Sequence, residues 1–119
     1  MASGIDVRQK LRLMLYELDS IKMTLRNAAQ RGRYASPFRL PADEWGRSYE
    51  ELSKHPELDD VLDKVKRAYE VAHQFNEVVG PRLQEDLRIH HSDAIDDVLI
   101  AVTAAGAALR NEIDRRTPR

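Results

Sequence analysis

Glu70 and His73 stand three residues apart in a stretch with helical patterning, the spacing with which helical bundles hold a pair of iron or manganese ions. Such a centre takes a Glu-x-x-His pair from each of two helices and a Glu from each of two more, and this chain holds a single pair. At about 100° per residue both side chains turn away from the apolar face of their helix, so a solvated surface is the preferred reading. His90, His91, Asp93, Asp96 and Asp97 put five metal-competent side chains into eight residues. Neighbouring histidines on a helix diverge by about 100°, which makes a shared ion awkward. His91 reads better as a hydrogen-bonded histidine at the core edge, open to titration. His90, His91 and Asp93 are the metal-ligand candidates, and no metal or other cofactor is expected. Arg26, Arg31, Arg33, Arg39 and Arg47 gather around one loop with Tyr34 and Phe38 among them, a mixture that can hold phosphates or stack on bases. Arg31, Arg33 and Arg39 are the phosphate-binding candidates, although pairing with acidic residues at the start of the third helix accounts for the cluster more simply. Trp45 and Phe38 read as core rather than as a ligand cage. No Gly-rich phosphate loop, Gly-x-Ser-x-Gly elbow or cysteine supplies a nucleophile or a cradle.

The elements that must position these residues are helices. Val7, Leu11, Met14, Leu18, Ile21, Leu25 and Ala28 recur at alternating steps of four and three, an unbroken heptad seam. Asp6 followed by Gln9 resembles a capping box, and Gly32 between two arginines supplies a helix end, so the first helix is expected over about residues 6–30. Leu13, Tyr16 and Met23 form a thinner stripe on its other side, interrupted by Ser20. The residues before Pro37 and Pro41 are biased away from helical angles, which makes 34–40 a loop. A short second helix is expected over about 42–54, with Trp45, Tyr49 and Leu52 on one face. Pro56 opens a third, whose inner face is Leu58, Val61, Leu62, Val65, Ala68, Tyr69, Ala72, Phe75 and Val79. Gly80 and Pro81 end it. The fourth and longest, about 82–115, is described by steps of eleven: Leu83, Ala94 and Ala105; Leu87, Val98 and Leu109; His91, Val102 and Ile113. Ser92 and Asp93 could cap a fresh start if it breaks near His90. Between residues 101 and 108 its face is nearly all Ala and Gly, which admits a close neighbour.

Length and composition agree with this. A chain of 119 residues fits one domain, able to bury roughly 65% of its unfolded surface. The 33% charged share, with only five Gly and five Pro, favours long solvated helices. The net charge of −1 divides unequally: residues 1–49 hold nine Lys/Arg against five Asp/Glu, and the remainder ten against fifteen. Complementary halves point to pairing within the fold or between copies rather than to nucleic acid. No run approaches the roughly 18 apolar residues of a membrane span, no signal peptide is visible, and zero cysteines fit a reducing compartment. A cytoplasmic protein is expected.

Two resemblances add expectations. Arg67 and His73 have the Arg-x5-His spacing that resembles the catalytic motif of HEPN ribonucleases, all-helical proteins of similar size in which Arg and His of two subunits face one cleft and cut RNA without metal. Ala68 stands where that motif usually has a polar residue. Separately, Leu11–Leu25, Leu40–Leu52 and Val65–Asn76 resemble a loose group of uncharacterised bacterial helical proteins, many of them actinobacterial. The positions that carry this likeness are Glu17 and Leu18, then Leu40, Pro41 and Trp45, then Ala68, Tyr69 and Asn76. Many members carry a membrane anchor ahead of the first helix, and this chain shows none. The likeness implies architecture and no activity. In physical terms Trp45 and Tyr69 seat the short helix, and Asn76 bonds at a loop end.

The expected fold is therefore all-α: an up-and-down bundle of four helices, the second short and the fourth long, in a single domain spanning 1–119 with 1–5 and 116–119 frayed. The first helix is expected at its centre. The expected role is non-catalytic protein–protein interaction with self-association, through Leu13, Tyr16 and Met23 or through the small-residue face of the fourth helix. The enzyme alternative is the HEPN-like ribonuclease or toxin using Arg67 and His73.

Overall fold

The computed structural model describes residues 4–31, 40–78 and 92–116, with side chains over 7–27, 40–78 and 93–116. Helix α1 runs Gly4–Arg31, α2 Glu44–Leu52, α3 Asp59–Val78 and α4 Ser92–Arg116, and no strand occurs among the described residues. These make the expected up-and-down bundle of four helices, the second short and the fourth long, about 48 × 25 × 20 Å. The long axis matches the roughly 42 Å length of a 28-residue helix.

The heptad seam of α1 is the clearest case of pattern becoming structure. Val7, Leu11, Met14, Leu18, Ile21 and Leu25 are all buried in one continuous core. Helix α1 starts two residues ahead of Asp6, so Asp6 lies inside its first turn rather than at the cap. Ala28, at the end of the seam, lies outside the described side chains, as do Arg31, Arg33 and Arg39.

Helix α2 begins at Glu44, later than expected, and Asp43 at its N-cap makes no side-chain capping bond. The first turn is served from another helix instead: the Glu44 N–H donates to Glu17 Oε1 on α1 at 3.0 Å. That carboxylate satisfies an end group that would otherwise lack a partner, and it does so against the positive end of the helix dipole. At the other end the Ser53 N–H donates to the Tyr49 carbonyl at 2.8 Å. His55 then turns extended ahead of Pro56, as the residue before a proline prefers. A single 3-10 turn, Pro56–Leu58, therefore precedes α3, where a continuous helix from Pro56 was expected.

The expected inner face of α3 is buried from Leu58 to Phe75, with Val61 partly so, and Val71 joins it. Val71 is buried because α3 lies along α4, which widens the covered face beyond a single seam. Position 79 and the expected helix end at Gly80 and Pro81 lie outside the described residues, as does the question of a break near His90.

The centre of the bundle differs from expectation. Helix α4, not α1, lies close along two long neighbours, α1 on one side and α3 on the other. Small residues lie along the contact with α1. Ala105 and Gly106 are buried, and a Cβ built on Gly106 would meet Leu15 Cδ1 of α1 at 3.8 Å. The small-residue face of α4 is thus used inside the fold. Of the described positions in the expected steps of eleven, Val98, Val102, Ala105, Leu109 and Ile113 are buried and Ala94 partly so, and a heptad seam through Ile95, Val98, Val102, Ala105 and Leu109 adds Ile95 and Glu112. Glu112 is buried because it occupies the next position of that seam.

Candidate functional site

The outer face of α1 stands apart from the rest of the surface. Opposite the buried seam lie Gln9, Leu13, Tyr16, Ser20, Met23 and Asn27, all exposed and spaced four, three, four, three, four. None carries a charge, in a chain that is 33% charged. Leu13 is 39% exposed, Tyr16 64% and Met23 65%. The exposed side of α3 shows the usual alternative, with Lys64, Lys66, Arg67 and Glu70 in solvent. Leu13, Tyr16 and Met23 were expected to have neighbours because a helix apolar on two sides usually does. Within the described chain they have solvent.

The flanks of this stripe are fixed by the fold. On one side Glu17 is held by the first turn of α2. On the other Asp19 accepts from Arg110 Nη2 of α4, at 3.0 Å to Oδ1 and 3.3 Å to Oδ2. Two neighbours thus clamp α1 in rotation, so the stripe faces outward along its whole length. Of its polar members, Ser20 enters the sequence expectation only as an interruption, and Gln9 and Asn27 do not enter it. The signal for them was the heptad spacing itself, which the three apolar residues show only in part.

Four of the positions that carried the bacterial resemblance meet in two pairs, Asn76 with Leu40 and Trp45 with Tyr69. Asn76 clamps the Leu40 peptide, its Oδ1 accepting from the Leu40 N–H at 2.6 Å and its Nδ2 donating to the Leu40 carbonyl at 3.0 Å. Trp45 packs on Tyr69 with ring centres 5.7 Å apart, and on Tyr49 at 4.7 Å. The Tyr69 hydroxyl is buried and closes no hydrogen bond of ordinary geometry. It lies near enough to Glu17 to be affected by it: burial first, then the Glu17 carboxylate, drive its ionisation far above the usual tyrosine range. Tyr69 therefore stays neutral, a seat for α2 rather than an acid or base.

A second polar group closes one end of the bundle. Arg116 Nε donates to the buried Glu112 at 2.9 Å, and its Nη2 donates to Glu57 at 3.1 Å. His55 Nδ1 lies 3.4 Å from the same Glu57 oxygen. The Glu57 carboxyl is held below its ordinary range by its own backbone N–H, then by Arg116 and, more distantly, by His55. Burial would lower the Arg116 ionisation, and its hydrogen bonds to Glu112 and Glu57 more than offset that and raise it. This network joins α4 to the turn before α3.

The other candidates are scattered. Arg67 and His73 are both exposed on α3, and six residues place them about 9 Å apart along the axis and 120° around it. One chain does not bring them into a common site. Arg67 instead edges a groove of about 160 Å³ between α3 and α4, floored by Val71, Phe75 and Val98 and faced by Asp97. Glu70 lies 3.9 Å from Lys66 on the surface. Arg47 pairs with Glu44 of its own helix at 3.6 Å rather than with the start of α3. Among the described residues no three His, Cys, Asp or Glu side chains converge as a metal site. Asp93 is exposed, and His90 and His91 lie outside the described residues. No described helix is long and apolar enough to cross a membrane.

Comparison with protein-family models, with curated proteins and with solved structures finds no match to the chain.

Proposed function

We propose that this chain is a non-catalytic helical-bundle protein of the bacterial cytoplasm that acts through protein–protein contact, associating with copies of itself through the outer face of α1. The observation that carries this reading is the uncharged stripe from Gln9 to Asn27, exposed on a helix whose opposite face is already fully buried. Exposed apolar residues occurring singly need no explanation, whereas a straight uncharged heptad row with Leu13, Tyr16 and Met23 along it is the form of a helix-pairing surface. The fold does not need these side chains for its own core.

Sedimentation equilibrium of the wild type and of the double variant Leu13→Glu with Met23→Glu tests the reading. The wild type associates with rising concentration, and the variant stays monomeric with an unchanged circular dichroism spectrum and melting temperature. A wild type that remains monomeric at millimolar concentration overturns the proposal. A variant that associates as the wild type does moves the contact off α1 and overturns it equally.

A further inference from the structure

We infer that the partner seated on α1 is the α1 of a second copy, running parallel and in register about a two-fold axis along the helix. The inference rests on the self-association reading and adds the orientation, the register and the residues that select them. In heptad terms Leu13, Ser20 and Asn27 occupy one seam position and Gln9, Tyr16 and Met23 the other, so in a parallel pair each layer sets a residue against its own copy. Asn27 then meets Asn27 of the second copy. A polar residue at that seam position specifies register and a two-stranded state at some cost in stability.

The flanking charges decide between the two orientations. Lys10 and Glu17 lie on one shoulder of the stripe, Arg12, Asp19 and Arg26 on the other. Parallel helices bring a residue of one shoulder against the residue five further on in the partner's other shoulder, which sets Arg12 against Glu17 of the second copy, twice by symmetry. Asp19 meets the uncharged Thr24, and the same rule sets Arg26 against position 31, also an arginine, as the one like-charge contact of this orientation. The antiparallel alignment that matches the same seam, Leu13 on Met23 and Tyr16 on Ser20, instead sets Arg12 against Arg26, Glu17 against Glu17 and Asp19 against Asp19. Rim charges contribute little affinity and much orientation. Glu17 and Asp19 are already fixed in place by α2 and Arg110, so the charge pattern is presented without further ordering. The stripe spans about 27 Å of helix, which keeps the contact at the small end of stable interfaces, below roughly 1,200 Å² in total. The dimer therefore exchanges with monomer.

Because the chain has no cysteine, single introduced thiols report register without background. Gln9→Cys alone should form a disulfide-linked dimer under mild oxidation at concentrations where the wild type associates, since position 9 faces itself only in the parallel pair. In the antiparallel pair it faces position 27 and lies about 27 Å from its own copy, far beyond disulfide reach. Linking only in a mixture of Gln9→Cys with Asn27→Cys, or in neither, overturns the inference. Arg12→Glu should weaken association about tenfold at low salt and less at high salt. An unchanged dissociation constant contradicts the Arg12 to Glu17 pairing. A wild type that does not associate removes the self-association reading and this one together, whereas a dimer broken by Leu13→Glu with Met23→Glu but linked in the wrong register removes only the orientation.

Discussion

Asn76 presents both ends of its amide to a single peptide unit, and that makes it the residue whose replacement tells most about how α2 is held. Asn76→Ala leaves the Leu40 N–H and carbonyl without their partners beside a core where Leu40 is fully buried. The expected cost is about 2 kcal/mol, read as a lower urea midpoint with an unchanged slope. Asn76→Asp should cost a similar amount despite its near-identical shape, because a carboxylate accepts from the N–H but repels the carbonyl. A neutral Asn76→Asp would show that only one of the two bonds matters. Tyr69 is the opposite case. Its hydroxyl is buried without a well-formed bond, so Tyr69→Phe should change stability by no more than about 0.5 kcal/mol or raise it. A loss of about 2 kcal/mol would mean that the hydroxyl donates to Glu17 in solution. The role of Asn76 at a loop end and of Trp45 with Tyr69 as a seat for α2 could be read from the positions that carry the resemblance, but not that the loop end is Leu40, 36 residues before Asn76. The part played by Glu17 could not. A carboxylate on a helix surface shows nothing in sequence of the helix end, 27 residues later, that it satisfies.

At the scale of the elements, the α1 seam was fully legible and the α4 seam only partly so. Six positions of α1 alternate without interruption and all six are buried. In α4 the heptad passes through Ala105 and ends on Glu112, and a small residue and an acid disguise it, so steps of eleven fitted as well and missed Ile95 and Glu112. The centrality of α4 was hidden for a related reason: Ala and Gly contribute little to an apolar count yet allow the closest approach of helices. Gly46 of α2 and Gly106 of α4 test how much the packing needs a missing side chain. Gly46 has nothing within 4 Å of an added Cβ, and at Gly106 the nearest atoms are Arg110 Nη1 at 3.6 Å and Leu15 Cδ1 at 3.8 Å, ordinary contacts. Gly46→Ala and Gly106→Ala should therefore each stabilise, by about 0.5 to 1 kcal/mol, through helix propensity and a less disordered unfolded chain. Thermal melting checks this. A destabilised Gly106→Ala would place the α1 and α4 backbones closer in solution than the fit of Leu15 allows.

For the molecule as a whole, the Glu112, Arg116, Glu57 and His55 group ties the far end of the chain to the turn between α2 and α3, and it makes the closure of the bundle dependent on acid. Glu57 is held below its ordinary carboxyl value of 4.5 when folded. A carboxyl with a lowered folded value contributes stability that is present above the unfolded value and is lost as pH falls through the folded one. The contribution of this group should therefore be full at neutral pH and down to about 4.5, and should fade below that. Arg116→Gln isolates it, since it removes the guanidinium that bridges Glu57 to Glu112 while keeping a shorter, uncharged polar side chain. Melting temperatures of wild type and variant should differ by a constant amount between pH 7 and pH 5 and converge toward pH 3. Because Glu57 is solvent-exposed, the part of the difference that belongs to it should also shrink in high salt, whereas the part that belongs to the buried Glu112 should not. Equal differences at pH 7 and pH 3 would mean that Arg116 contributes packing alone, and that the end of α4 is joined to the turn before α3 by apolar contact rather than by charge.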